Sequence, residues 1–222
     1  MSFPTAPVPI PEAVARIADG REVTAVWLNE LGGVTFAVAR EFVKVYPDQH
    51  AGLLDAEVTR LRWAADFAAV PKVLSTGPGW LHTAALPGRS AVDPHWIARP
   101  LDAARAIGAG LRRLHDALPV DRCPFGAPAW VRADAPPADR LVVCHGDACA
   151  PNTIVGDDGF CTGHVDLGDL GVADRWSDLA VATMSLAWNF GSSGGQEAAL
   201  LEAYGVAPDQ ERIAYYRERW DE

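Results

Sequence analysis

The chain has 222 residues, 49% hydrophobic and 22% charged, with 29 acids against 19 bases and a formal net charge of −10. That length supports one large domain or two small lobes with a sizeable core. The acidity argues against nucleic acid and anionic membranes as partners, because both need basic surface, and it suits a cationic ligand.

The opening "MSFPTAPVPIPEAVARIADG" lacks the basic start and apolar core of a signal peptide, and no apolar run reaches the ~20 residues of a membrane span. A cytoplasmic protein is expected. The Pro-rich lead runs into a short helix closed by Gly20. "EVTAVWLN", "VTFAVA" and "EFVKVYP" predict three strands of an antiparallel meander, with "ELGG" as the first turn. "HAGLLDAEVTRLRWAADFA" predicts a helix with Leu54, Val58, Leu61 and Ala65 on one face. "VPKVLSTGPGWLHTAALPG" gives two more strands around a Gly-Pro-Gly turn. Beyond a linker near residues 85 to 93 the pattern becomes helical. "HWIARPLDAARAIGAGLRRLHDAL" reads as a helix with Pro100 near its start, followed by a Pro- and Ala-rich loop. A helix around "ADRWSDLAVATMSLAWNF", a "GSSGG" turn and two terminal helical segments complete the chain.

The chemistry is concentrated in "VVCHGDACAPNTIVGDDGFCTGHVDLG", residues 142–168. "NTIV", "GDDG" and "FCTGHVD" read as strand, turn and strand. A hairpin returns its ends to one place, so Asn152 and Asp166 should face a common site, with Asp147 just upstream. Two carboxylates and an amide are hard oxygen donors that suit Mg²⁺ beside phosphate oxygens. Kinases place an Asp, four residues and an Asn in the catalytic loop, followed by a metal-binding Asp-x-Gly. Here those elements are Asp147, Asn152 and Asp166-Leu167-Gly168. They also need a Lys on the third strand and a Glu on the next helix, and Lys44 and Glu57 occupy those places.

"VVCHGDACAPNTIVGDDGFCTGHVDLGDLGVADRWSDLAVA" resembles the catalytic core of the aminoglycoside phosphotransferases, most closely the 3′-phosphotransferase group. "AYGVAPDQERIAYYR" resembles that group's C-terminal helix. The resemblance runs from about Val23 to the end and is strongest beyond Leu141. It implies an α+β, two-lobed, protein-kinase-like fold: a small antiparallel β lobe with one helix (residues 1–85) and a larger, mainly helical lobe (86–222), hinged at about 83–93. It implies ATP and Mg²⁺ as cofactors, transfer to an aminoglycoside hydroxyl, and antibiotic resistance. Asp147 would be the catalytic base, Asn152 and Asp166 the metal ligands, and Lys44 with Glu57 the phosphate-positioning pair. Backbone groups near Ala84 and Leu86 would meet adenine. His145 would hold the catalytic loop, and Asp178 would brace it from a helix. For the acceptor, Asp147, Asp169, Glu218, Asp221 and Glu222 are candidates to line a pocket for a polycation.

The sequence departs from the family in three places. Asp169 stands where many 3′-phosphotransferases carry Arg, Met184 stands where a second Arg is expected, and "DRCPFGAPAWVRADAPPADR" is short for the helical insertion before the catalytic loop. The phosphate-transfer parts are intact and the acceptor-binding parts are altered, so a kinase of another small hydroxylated metabolite is the alternative enzyme. A non-catalytic nucleotide- or zinc-binding module is the alternative from another class. Cys144, His145, Cys149, Cys161 and His164 offer five soft ligands within 21 residues, but without paired zinc-site spacings. With Cys123, the cysteines read as reduced thiols, and Cys144 and Cys161 as buried strand residues.

Overall fold

The computed structural model describes residues 4–191 and 194–220. It divides into two compact units, Met1–Ala65 with Pro71–Ala85, and Asp66–Val70 with Leu86–Glu222.

In the first unit a short helix α1 (Glu12–Ala18) ends where Asp19 turns left-handed, at φ 48°. Strands β1 (Thr24–Leu28), β2 (Val34–Val38) and β3 (Glu41–Val45) form the expected meander. After helix α2 (Ala51–Ala64), the hairpin β4 (Val73–Gly77) and β5 (Trp80–Ala84) completes an antiparallel sheet of order β1-β2-β3-β5-β4. Strand alternation decides what each face carries. Phe36, Val38 and Val43 pack with Val14 and Ala18 of α1. Lys44, next after Val43, points to the opposite face. On α2 the buried residues are Leu54, Glu57, Val58, Leu61 and Ala64. Ala65 was expected on that face; it is exposed and caps the helix instead. A 3.6-residue period closes the stripe three residues after Leu61, and it brings Glu57 into the buried row.

The second unit opens with β6 (Arg89–Ser90), inside the stretch read as a linker, where it pairs with β8 below. The single helix expected over "HWIARP…HDAL" is two: α3 (Pro94–Ile97), capped by the Asp93 side chain, and α4 (Pro100–Ala117). Pro100 supplies no N–H and a fixed φ, so it starts a helix and cannot continue one. After the Pro-rich loop come β7 (Leu141–Cys144), β8 (Thr153–Val155), β9 (Cys161–His164) and β10 (Gly171–Asp174). β8 and β9 form the predicted hairpin, with Thr153 opposite His164. β10 pairs with β7; it was missed because "GVAD" is short and was absorbed into the following helix. That helix, α5 (Arg175–Phe190), begins one residue after its N-cap Asp174. Helices α6 (Gln196–Tyr204) and α7 (Gln210–Trp220) follow; Ser192 and Ser193 of the "GSSGG" turn lie outside the described residues.

The core of this unit joins Ile107 and Leu111 of α4, Leu179 and Leu186 of α5, Leu200 and Tyr204 of α6, and Ile213 and Tyr216 of α7. α4 and α6 approach so closely that a Cβ at Gly108 would lie 2.1 Å from the Leu200 carbonyl oxygen. Among the described residues no helix is long and apolar enough to cross a membrane.

Candidate active site

The loop from His145 to Asn152 has little regular structure, so its backbone groups need partners from elsewhere. Helix α5 supplies several. Asp178, fully buried, accepts the His145 N–H at 2.6 Å and the Gly146 N–H at 3.0 Å. Ser185, seven residues or two turns further along the same helix face, accepts the Ala150 N–H at 2.9 Å. Asp178 also meets His115 Nε2 of α4 at 2.9 Å, and His115 Nδ1 lies 2.9 Å from the Tyr204 hydroxyl. Burial alone would raise the Asp178 pKa. The hydrogen bond and charge of His115 and the N–H donated by His145 outweigh it and hold the carboxyl below its ordinary range.

His145 is fully buried, and its two nitrogens have distinct duties. Nε2 lies 2.9 Å from the Val165 carbonyl, to which it donates, while Nδ1 accepts the Asp147 N–H at 3.2 Å. These partners require the neutral tautomer with its proton on Nε2. The ring therefore ties the loop to the segment leading to Asp166 and is not positioned as a proton shuttle.

Three groups expected at one site converge around this loop. Asn152 donates its side-chain N–H to the Asp147 carbonyl at 2.9 Å, which leaves the amide oxygen as its outward donor atom. Val165 donates its N–H to the Asn152 carbonyl at 2.9 Å, which sets the two ends of the hairpin side by side. Asp166 follows in left-handed backbone at φ 63°, a conformation that costs an ordinary residue energy and marks functional loops. Asp147 Oδ1 is buried without a hydrogen-bond partner. Burial first, and the Asp166 charge second, raise the Asp147 pKa against the opposing effects of the Cys149 thiol, His145 and Asn152.

In the first unit Lys44 Nζ meets Glu57 Oε1 at 2.9 Å and Oε2 at 2.8 Å, with both side chains largely buried. Facing both carboxylate oxygens, the ammonium is held in one direction. The "ELGGV" loop is folded around Asn29. Its side-chain oxygen accepts the Leu31 and Gly33 N–H groups at 3.1 and 2.7 Å, and its amide donates to the Tyr46 hydroxyl at 2.7 Å. Ala84 donates its N–H to the Lys72 carbonyl at 2.9 Å, so it has no N–H to offer an adenine. Leu86, in the second unit, lies beside Gly163.

The acceptor-side residues are less gathered. Asp169 packs against Gly146, whose φ is 86°; a Cβ there would lie 2.3 Å from the Asp169 carbonyl oxygen. Gly146→Ala therefore combines left-handed strain with a backbone clash and is expected to displace Asp147. A shift of about 1 Å at a reacting group costs about 10²-fold in rate. Turnover of a soluble Gly146→Ala protein within threefold of the parent would contradict this placement. Glu218 is exposed on α7, 3.9 Å from the Arg219 guanidinium, whereas Asp221 and Glu222 lie outside the described residues. Met184 is buried in α5, and Trp188 is exposed.

The zinc reading fails on geometry. Among the described residues the three soft or acidic groups that converge are His115, Cys144 and Asp178, within 4.8 Å of one another. Of these, Cys144 alone belongs to the set of five. His115 and Asp178 are hydrogen-bonded as above, and Cys144 Sγ lies 3.4 Å from the Asp174 carbonyl and 3.2 Å from Ser177 Oγ. Burial pushes the Cys144 thiol well above its ordinary pKa, opposing the thiolate that zinc requires.

Sequence reasoning missed Ser185, His115 and Trp130. Ser185 was signalled by its two-turn spacing from Asp178. Trp130 lies in the Pro-rich loop with no motif around it, yet its Nε1 donates to the Gly146 carbonyl at 2.7 Å.

The profile of the phosphotransferase enzyme family matches residues 121–216. A streptomycin 3″-kinase of Streptomyces griseus is 32% identical, the alignment covering 89% of this chain and 90% of that protein. An aminoglycoside 3′-phosphotransferase of Streptomyces fradiae is also 32% identical, covering 77% and 80%. The solved structure of the aminoglycoside phosphotransferase APH(3″)-Id from Streptomyces rimosus, in complex with ADP and streptomycin, superposes with a TM-score of 0.68 at 26% identity. It covers 93% of this chain and 95% of that one.

Proposed function

The chain belongs to the aminoglycoside phosphotransferase family, and from that premise we propose that it transfers the γ-phosphoryl group of ATP directly to an aminoglycoside hydroxyl. The observation that carries the reading is the arrangement around Asp147. Its Oδ1 is buried and unpartnered, Asn152 is turned by its own amide hydrogen bond, and Asp166 is presented by left-handed backbone at the hairpin's other end.

Each residue then has one task. Lys44, fixed by Glu57, neutralises nucleotide phosphate charge. The Asn152 amide oxygen and the Asp166 carboxylate fit Mg²⁺, being hard oxygen donors next to a second carboxylate. Held there, the ion would offset the negative charge that builds on the transferring phosphoryl group. Asp147 accepts the acceptor's hydroxyl proton as that oxygen bonds to the γ-phosphorus and the bond to the ADP oxygen breaks. His145 and Asp178 hold the loop. Residues near Ala84 and Leu86 lie against adenine, by carbonyl or side chain in the case of Ala84. The acidic groups Asp169, Glu218 and Glu222 attract the cationic acceptor. Acting in the cytoplasm, such an enzyme confers resistance.

The first reading of the acceptor is the 3′-hydroxyl of a kanamycin-type drug. The second is the 3″-hydroxyl of streptomycin. It is favoured by Asp169 in place of the Arg of many 3′ enzymes, and by the greater share of the chain that aligns with the streptomycin kinase. ADP release measured over kanamycin, streptomycin, simple sugars and amino alcohols tests both. Turnover is expected on an aminoglycoside, with ³¹P and ¹H spectra of the product fixing the hydroxyl. Turnover confined to a sugar or amino alcohol would replace the reading with that of a metabolite kinase, and none with any acceptor would overturn it.

A further inference from the structure

The peptide bond joining Gly146 to Asp147 is pinned on both of its polar atoms. Its N–H, that of Asp147, goes to His145 Nδ1, and its carbonyl, that of Gly146, accepts from Trp130 Nε1 at 2.7 Å. That peptide plane carries the Asp147 Cα, so its orientation sets the carboxylate's direction. The plane also sits next to a residue free to rotate: Gly146, at φ 86°, has no side chain to resist a crankshaft motion. Its own N–H is fixed to Asp178, so rotation would swing the carbonyl and with it Asp147.

Trp130 is held from the other side. Its ring meets Trp220 edge-on, with centroids 5.0 Å apart at 87°, and Tyr216 at 6.2 Å and 89°. Both partners lie on α7, where Tyr216 is fully buried in the core and packs on Tyr215 at 5.1 Å. The loop that brings Trp130 here is itself fastened to β10, through the Val172 N–H donated to the Gly126 carbonyl at 3.0 Å. This is the segment that is short beside the family's insertion.

We infer that Trp130 is a positioning residue for the transfer reaction: its indole N–H fixes the Gly146–Asp147 peptide plane and makes the packing of α7 part of the base's alignment. The inference rests on Asp147 being the base.

The test is steady-state kinetics of Trp130→Phe, which keeps an aromatic ring and removes the N–H, beside Trp220→Leu, which removes the ring that backs it. Trp130→Phe is expected to lower kcat about tenfold, the scale of a sub-ångström misplacement, with KM for nucleotide and acceptor within twofold. Trp220→Leu is expected to lower kcat in the same way by a smaller factor, and the double variant to fall little below Trp130→Phe alone. A merely structural role would lower the melting temperature and leave kcat per folded molecule unchanged. That outcome overturns the inference, as does a rise in acceptor KM that accounts for the whole loss. If one single variant proves insoluble, the other decides by the same split. Asp147→Asn is run alongside. If it keeps activity, the base assignment has failed; if it is inactive while Trp130→Phe matches the parent, the positioning inference alone has failed.

Discussion

Asp147→Asn is expected to lower kcat by about 10²- to 10⁴-fold, the contribution of a positioned general base, while nucleotide affinity stays within about threefold. The two readouts separate because the proposed mechanism gives Asp147 the acceptor proton and leaves phosphate binding to Lys44 and to the oxygens of Asn152 and Asp166. Isothermal titration with ADP and a single-turnover assay measure them independently. A variant that turns over within threefold of the parent would remove Asp147 from the mechanism. The substitution has a second expected effect, opposite in sign. The carboxyl's folded pKa is raised, by burial and by Asp166. Above its ordinary pKa the folded state therefore holds a charge that the unfolded state holds more easily, and native stability is diminished. Removing that charge should leave the metal-free protein at least as stable near pH 7 as the parent. Activity and stability oppose each other at this residue, as they do where a site is built for reaction and not for folding.

Asp178→Ala should do the reverse. Three donors converge on one fully buried carboxylate: the N–H groups of His145 and Gly146, and the His115 ring. Truncation orphans all three, a loss on the order of 3–5 kcal/mol. For a chain of this size that corresponds to a fall in melting temperature on the order of 10 °C. Activity falls with it, since the catalytic loop loses two of its backbone anchors. The sign of the pH dependence follows from the lowered folded pKa. The contribution is fully present above the unfolded pKa, about 3.9, and is lost as pH falls through the depressed folded value. Thermal melts between pH 3 and 7 should show the parent losing more stability on acidification than Asp178→Asn. Equal losses would remove Asp178 as the brace.

The proximity of several residues of the candidate site was legible in the sequence because its signals are local. Asn152 and Asp166 flank the β8–β9 hairpin and Asp147 lies just upstream, so spacing alone fixes their proximity. Lys44 and Glu57 follow from the alternation of β3 and the period of α2, and the structure joins them by two short hydrogen bonds. What escaped was non-local. Trp130 reaches Gly146 across 16 residues and His115 reaches Asp178 across 63, and no periodicity encodes such partners. The two-residue strand β6 and the four-residue β10 exist only through their pairing partners, so they read as linker and helix start. The split of one helix into α3 and α4 was available from Pro100, whose missing N–H forbids continuity. The residues expected to meet the acceptor were the least legible for a physical reason: Glu218 is solvated, and nothing in a solvated charge's neighbourhood fixes what it binds.

The side chains of α5 that receive the loop's amides have a further consequence. His145, Gly146 and Ala150 belong to a segment with little regular structure, which would ordinarily exchange its protons quickly and drift in sequence. Here their N–H groups end on Asp178 and Ser185, inside a helix that is buried from Trp176 to Leu186. These protons are freed only when α5 itself gives way, so the loop inherits the slow opening of the core. On the proposed mechanism, a substitution at a solvated position such as Glu218 can change acceptor preference while the loop keeps its anchors on α5.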